Sequence, residues 1–197
     1  MILGITGSFG SGKSTVARIF KSLAGSSAKI IDADLIAHQA IEPGAGVSRK
    51  VINIFGKGIL KKNGAIDRAK LGGIVFQNRK LLHRLSAIIH PEVLAVIKKE
   101  IKANRGKTLI LDVPLLLEAG MGRLANKVIV VKIKRQEQLK RLINKKGFLR
   151  NDILKRINSQ MPLGEKIRLA DFVINNNGDI RDTKKQAAKI WRLLWKN

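Results

Sequence analysis

One short segment near the start of the chain constrains the fold more than any other. Residues 7–14 read Gly-Ser-Phe-Gly-Ser-Gly-Lys-Ser and match the pattern G-x-x-x-x-G-K-[ST] in full. A short, apolar, β-branched run from Ile2 to Thr6 precedes this phosphate loop, and a helical pattern follows from Lys13 to a natural stop at Gly25. Because a glycine loop between a strand and a helix can surround phosphate with backbone N–H groups, the segment predicts nucleotide binding.

The loop also predicts a role for individual side chains. Lys13 is expected to neutralise charge on the β- and γ-phosphates of the nucleotide, and the Ser14 hydroxyl is expected to bind Mg²⁺. The residues predicted to bind ATP here are Gly7, Gly10, Ser11, Gly12, Lys13, Ser14 and Thr15. The loop by itself does not distinguish a kinase from a GTPase or a motor ATPase.

Apolar segments that alternate with helical patterns indicate the fold class. Besides the first strand, strands are predicted at 28–31, 108–111, 127–133 and 172–174. Strands that are apolar throughout are typical of a parallel sheet covered on both faces. We therefore expect a single α/β P-loop domain with a five-stranded parallel sheet and a core formed by residues 1–34, 106–134 and 169–197. A mostly helical insertion is expected at about 35–105, with turns at Pro43-Gly44, Asn63-Gly64 and Gly72-Gly73, and a short helical lid at about 135–168.

Composition excludes some classes of protein and leaves one question open. The chain has no cysteine, no apolar run of membrane-spanning length and no signal-peptide pattern at its start, so a soluble cytoplasmic protein is expected. It carries 39 lysines and arginines against 14 acidic residues, a formal charge of +25. This charge fits either a lysine-rich solvated surface or a polyanionic partner, and therefore suggests a nucleic-acid-binding ATPase as a rival. An aromatic content of 4% without tyrosine argues against base-stacking platforms.

Acidic residues follow two of the predicted strands. Asp32 and Asp34 come directly after the second strand, at the sheet edge where ligands bind in open α/β folds. A carboxylate there could orient an attacking hydroxyl and accept its proton, or both residues could be turn and cap residues of a helix that begins near Leu35. Asp112 directly follows the third predicted strand and is expected to support Mg²⁺. Glu118 follows an apolar stretch, and its residue pattern favours an ordinary acid on a helix surface.

The segment between Lys132 and Arg168 is strongly basic. Small kinases use arginines on a mobile lid to stabilise charge on the phosphoryl group, and Gly147 between two helical patterns could be the hinge. Most of these cations are expected to keep helix faces solvated, and a few to reach ATP.

The motifs together resemble one family along nearly the whole chain. After the phosphate loop they occur in this order: Asp32-Ala33-Asp34, Glu42-Pro43-Gly44, Ile66-Asp67-Arg68, Ile89-His90-Pro91, Pro114-Leu115-Leu116-Leu117-Glu118, Gln160-Met161, Lys166, and Ala170-Asp171-Phe172-Val173-Ile174 with the turn Asn175 to Gly178. This set resembles dephospho-CoA kinase, and the resemblance implies ATP-dependent phosphorylation of the ribose 3′-hydroxyl of dephospho-CoA, with Mg²⁺.

The resemblance also implies roles for residues outside the phosphate loop. Asp34 would be the general base, with Asp32 beside it. Arg68, His90 and Glu118 would lie on the acceptor side. Arg141 and Arg156 would be lid or ATP-side residues, and Asn177 would belong to a turn near adenine.

The sequence departs from the family at a few positions. His38 and Lys145 stand where arginine is frequent, and Ser8-Phe9 stands where Gly-Ile is usual. Lysine retains the charge of arginine but not its bidentate geometry. A nucleoside or nucleoside monophosphate kinase is the nearest rival. Arginines in the predicted insertion are well separated, however, whereas a monophosphate acceptor would call for a cluster of them.

Overall fold

The computed structural model describes residues 1–146 and 148–195 and, at positions 145 and 146, the backbone alone. The described chain forms two compact units. The core unit comprises Met1–Asp32 and Ala103–Asn197, and the helical unit comprises Ala33–Lys102. The predicted hinge at Gly147 and the predicted lid side chain of Lys145 lie outside the described residues.

The core unit is built on one parallel sheet. Its strands are β1 (Ile2–Gly7), β2 (Ala28–Asp32), β3 (Thr108–Asp112), β4 (Lys127–Lys132) and β5 (Phe172–Asn175). They lie in the order β2-β3-β1-β4-β5, and every pair of neighbours is parallel. The predicted α/β class with a five-stranded parallel sheet is therefore confirmed. Consecutive residues of β1, β3 and β4 are buried, so both faces of these strands are shielded from solvent, as is typical of parallel sheets.

Helices occupy the segments between and after the strands. The helices are α1 (Lys13–Ala24), α2 (Ala33–Ala40), α3 (Gly46–Phe55), α4 (Arg68–Val75), α5 (Arg79–Ala103), α6 (Arg135–Lys146), α7 (Arg150–Asn158), α8 (Leu163–Arg168) and α9 (Ile180–Leu194). α1 packs against α9 and the sheet, with Val16, Ala17 and Phe20 completely buried in the core. This packing anchors the helix that follows the phosphate loop.

The helical unit has a hydrophobic core of its own. Its buried members are Ile41, Val47, Val51, Ile59, Ile66, Leu71 and Val75. The predicted turn at Gly72-Gly73 is wrong, because both glycines lie inside α4. The Asp67 carboxylate caps this helix by accepting hydrogen bonds from the N–H groups of Ala69 and Lys70. Capping and the burial of apolar side chains on α4 outweigh the weak helix propensity of the glycines.

α5 is a single helix that continues through Pro91. It joins the apolar stretches that the sequence places before and after His90-Pro91. Within the described ranges, no helix is both long and apolar enough to cross a membrane.

Candidate active site

The phosphate loop lies between the end of β1 and the start of α1, as predicted. Gly12 occupies the position before the first helical residue with a left-handed backbone, at φ 93° and ψ 22°. A Cβ atom at this position would lie 2.2 Å from the Asn176 side-chain nitrogen. Glycine is therefore required for both its backbone conformation and its small size.

The side chain of Lys13 packs against the phosphate loop to which Lys13 itself belongs. Its side chain is largely buried, and its Nζ donates a hydrogen bond to the Ser8 carbonyl oxygen at 3.2 Å. The buried Ser11 hydroxyl has no hydrogen-bond partner in the described part of the chain. Lys13 and Ser11 thus provide a cation and a hydroxyl donor beside the N-terminal end of α1, which is a suitable environment for phosphate.

Two of the predicted acidic residues end neighbouring strands in register. Asp32 of β2 pairs with Asp112 of β3, and Asp112 is also aligned with Ile5 of β1. Asp112 is 4% exposed, which is uncommon for an aspartate. The strand does not continue beyond Asp32, because α2 begins at Ala33 and Asp34 belongs to its first turn. The expected helix start near Leu35 is therefore two residues too late.

The structure gives Glu118 a more specific environment than the residue pattern suggested. Glu118 lies in a turn after β3 rather than on a helix surface, so that interpretation is wrong. Its Oε1 atom lies 2.7 Å from Lys166 Nζ and accepts a hydrogen bond from the Met161 N–H at 3.1 Å. Its buried Oε2 atom has no partner among the described residues.

Lys166 is completely buried, unlike the solvated cations expected in this basic segment. Burial lowers its pKa, and the hydrogen bond and negative charge of Glu118 act in the opposite direction. Lys166 Nζ also donates to the Pro114 carbonyl oxygen at 2.8 Å, and the Thr6 hydroxyl donates to the same oxygen at 2.9 Å. The ion pair therefore joins α8 to the segment after β3 and to β1.

Arg141 contacts the turn that follows β5. Its guanidinium donates to the carbonyl oxygens of Asn176 at 2.9 Å and Asn177 at 3.3 Å. The Asn177 side chain accepts a hydrogen bond from the Lys134 N–H, directly before the predicted lid segment. The structure therefore brings two predicted ATP-side residues, Arg141 and Asn177, to the same turn.

Asn176 was not predicted as a site residue, although its buried side chain contacts the phosphate loop. Its Nδ2 donates to the Ser11 carbonyl oxygen at 2.8 Å, and its Oδ1 accepts from the Thr183 hydroxyl at 2.9 Å. An asparagine in a polar turn reads locally as a turn residue. Its long-range contact with the loop arises only from the tertiary fold.

Arg156 of α7 lies over two aromatic rings. Its guanidinium carbon is 5.2 Å from the ring centre of Phe9 and 5.0 Å from that of Phe148. The two rings pack edge to face, 5.8 Å apart. Burial lowers the pKa of Arg156, and the nearby Asp152 acts in the opposite direction. The predicted lid arginine is thus placed beside the phosphate loop by cation–π contacts.

The remaining predicted residues belong to the helical unit. Arg68 is the first residue of α4, directly after its capping Asp67. His90 lies within α5, immediately before Pro91. Arg68 and His90 are predicted acceptor-side residues, and Asp34 is the predicted base. All three lie between β2 and β3 in the chain.

Comparison with known proteins identifies the family. The family model described as dephospho-CoA kinase matches residues 1–182. The chain is 48% identical to the dephospho-CoA kinase of Carboxydothermus hydrogenoformans, covering 100% of this chain and 96% of that protein. It is 42% identical to the dephospho-CoA kinase of Geobacillus kaustophilus, covering 96% and 94%. A solved dephospho-CoA kinase from Campylobacter jejuni superposes with a TM-score of 0.67 at 32% identity, covering 98% and 96%. With its phosphate loop in the expected place on the expected sheet, this chain belongs to the dephospho-CoA kinase family.

Proposed function

We propose that this enzyme transfers the γ-phosphoryl group of ATP to the ribose 3′-hydroxyl of dephospho-CoA, giving coenzyme A in the last step of its synthesis. The observation that carries the proposal is the complete phosphate loop, with Lys13 buried against it, in a chain that matches dephospho-CoA kinases over almost its full length. The expected alternative of a nucleic-acid-binding ATPase has no comparable support.

On the ATP side, the phosphate loop holds the triphosphate. The N-terminal N–H groups of α1 and the ammonium of Lys13 stabilise the negative charge that spreads over the phosphate oxygens during transfer. Arg141 and Arg156 add positive charge from the lid, and Asn177 lies in the turn assigned to the adenine side. Closure of these residues over ATP would exclude water and limit its wasteful hydrolysis.

The residues present also fit Mg²⁺. Mg²⁺ keeps several water ligands and takes one or two protein oxygens together with substrate phosphates. Ser14, exposed in the first turn of α1, and Asp112, at the end of β3, offer such oxygens. Within the described ranges, no cluster of three or more metal-binding acids, histidines or cysteines is present, which suits an ion held mainly through ATP. When bound, Mg²⁺ would neutralise phosphate charge.

On the acceptor side, we assign Asp34 as the general base. A carboxylate can orient the 3′-hydroxyl and accept its proton as the new bond to phosphorus forms. Asp32 would support Asp34, and Arg68 and His90 would bind the anionic substrate. The Oε2 atom of Glu118 has no partner among the described residues and could accept a hydrogen bond from the substrate.

The proposal is tested by measuring ADP release with Mg-ATP and four conditions: dephospho-CoA, adenosine, AMP and no acceptor. We expect turnover with dephospho-CoA alone, and a fall in kcat of about a hundredfold or more in Asp34→Asn. Asp182→Asn, at an exposed position on α9, is the matched control and should retain wild-type activity. Equal ADP release in all four conditions would overturn the substrate assignment. Unchanged kcat in Asp34→Asn would overturn the assignment of the base.

A further inference from the structure

We propose that Gln138 and Gln160 are positioning residues that hold the backbone of Phe9 in the phosphate loop, and that Gln160 thereby fixes the Ser8–Phe9 peptide, whose carbonyl oxygen holds the side chain of Lys13. The proposal rests on ATP-dependent phosphorylation as the reaction of this site. It assigns to two lid glutamines a role in ATP binding that the loop motif does not contain.

Gln160 holds the N–H of the peptide. It follows α7, and its Oε1 atom accepts a hydrogen bond from the Phe9 N–H at 2.8 Å. The two residues are 151 positions apart in the sequence. Because a backbone N–H can only donate, this contact requires the oxygen of the Gln160 amide and not its nitrogen.

Gln138 holds the next carbonyl group and the neighbouring hydroxyl. It belongs to α6, and its side chain is 3% exposed. Its Nε2 donates to the Ser8 hydroxyl at 3.0 Å and to the Phe9 carbonyl oxygen. Because a carbonyl oxygen can only accept, this contact requires the amide nitrogen. The two glutamines therefore hold one loop residue with opposite hydrogen-bonding polarity.

The consequence for Lys13 follows from the planarity of the peptide bond. The Ser8 carbonyl and the Phe9 N–H belong to the same rigid plane and point in opposite directions. Gln160 holds the N–H, while the carbonyl on the other side accepts a hydrogen bond from Lys13 Nζ at 3.2 Å. Rotation of this peptide would remove the hydrogen bond from Lys13 Nζ to the Ser8 carbonyl oxygen and point that oxygen in another direction. Gln160 therefore fixes the orientation in which Lys13 is held.

The ring of Phe9 is held as well. Arg156 of α7 and Phe148, which precedes α7, both contact this ring. Phe9 is therefore held through its ring by these two residues and through its backbone by the two glutamines. Movement of the lid segment would therefore be transmitted to the phosphate loop at Phe9. This links lid position to the geometry of the residues that bind ATP.

The opposite polarity of the two contacts gives a sharp test. Gln160→Glu keeps an oxygen that can accept from the Phe9 N–H, whereas Gln138→Glu replaces the donating nitrogen by an oxygen that faces a carbonyl. Both variants add the same negative charge near the same residue, so each controls for the charge of the other. Gln136→Glu, at an exposed position on α6, is a further control for charge. Gln160→Met and Gln138→Met remove each contact without adding charge.

Kd for ATP should be measured by calorimetry, and kcat and KM for both substrates by ADP release, on variants whose Tm confirms folding. We expect Gln138→Glu, Gln138→Met and Gln160→Met to lower kcat/KM for ATP on the order of tenfold to a hundredfold. KM for dephospho-CoA should change little, and Gln160→Glu should remain much closer to wild type than Gln138→Glu.

Equal losses in Gln138→Glu and Gln160→Glu would overturn the proposal, because charge alone would then explain them. Wild-type ATP affinity and kcat in Gln160→Met would also overturn it. Calorimetry with ATP needs no acceptor, so it separates the two proposals. If the variants showed the expected order of Kd for ATP, with Gln160→Glu closest to wild type, the positioning role would be supported. If the wild-type protein then failed to phosphorylate dephospho-CoA, only the proposed substrate would be refuted.

Discussion

The phosphate loop of the core unit and the helix starts of the helical unit are held by different kinds of side-chain hydrogen bond. In the core unit, the phosphate loop is held by Gln138, Gln160 and Asn176, which are 129 to 165 positions away from their partners. In the helical unit, Asp67 and Asn78 cap α4 and α5 through N–H groups two or three positions further along. Local sequence thus fixes where helices begin in one unit, whereas the geometry of the loop in the other depends on the completed fold.

The strongest test of this difference removes Lys166, a completely buried cation of the core unit. Lys166→Met would leave the Glu118 carboxylate without its ionic partner, and we expect a loss of about 3–5 kcal/mol in the free energy of unfolding, measured in urea. Adding Glu118→Leu should recover part of this loss, because no unpaired charge would then remain. A loss below about 1 kcal/mol in the single variant would contradict a structural role for the pair.

The stability lost on replacing a glycine of positive φ by alanine can be compared between the two units. In Gly7→Ala, at φ 151°, the new Cβ would lie 2.4 Å from the Val131 carbonyl oxygen of the neighbouring strand. We expect a loss of about 2–4 kcal/mol from overpacking and backbone strain together. Gly56→Ala in the helical unit, at φ 78° with nothing within 4 Å of the new Cβ, is the control. It should cost about 1 kcal/mol, from strain alone. Equal losses of unfolding free energy in Gly7→Ala and Gly56→Ala would show that steric crowding at the end of β1 does not add to the cost of backbone strain.

Two asparagines test whether stability and ATP binding are separable. Asn176→Ala would remove a buried amide that joins the Ser11 carbonyl to Thr183, and should cost about 2 kcal/mol and weaken ATP binding. Asn78→Ala would remove a helix cap and should cost about 1 kcal/mol with unchanged Kd for ATP. Chemical denaturation and calorimetry measure the two effects. Parallel changes in Kd would show that the loop responds to stability rather than to Asn176.

The smallest expected effect is the pH dependence of two carboxylates. At Asp171, partial burial raises the pKa, but the Val128 N–H and Lys127 outweigh it and hold the pKa below its ordinary value. At Asp67, the hydrogen bond from the Lys70 N–H is the largest cause of a lowered pKa. A carboxyl whose folded pKa is lowered stabilises the fold above its unfolded pKa, and this contribution is lost as pH falls through the folded value.

The free energy of unfolding should therefore decrease by a small amount as the pH drops below about 4. Asp171→Asn and Asp67→Asn should each make this decrease smaller. NMR titration of the two carboxyl groups and Tm measured from pH 7 to pH 3 would check this. A folded pKa at or above the ordinary value for either residue would contradict the assigned hydrogen bonds.

The sequence by itself determined the local architecture of the core unit. The apolar runs predicted the ends of the strands to within one residue, and the glycine pattern placed the phosphate loop between β1 and α1. These predictions succeed because the spacing of apolar residues, the glycine content and the residues that end helices are all properties of short segments. The ordered motifs also pointed to the family that the comparisons show.

Only the tertiary structure decided which polar side chains meet. Gln138 lies in a basic helix pattern with no local sign of burial, Lys166 looks like a solvated cation, and Glu118 looks like a surface acid. Gly72-Gly73 looks like a turn, yet capping and a buried face keep it helical. In each case the outcome depends on partners distant in sequence or on burial against other elements. The free energy of desolvating a polar group, and of satisfying it again, is set by the assembled fold and not by the segment that carries it.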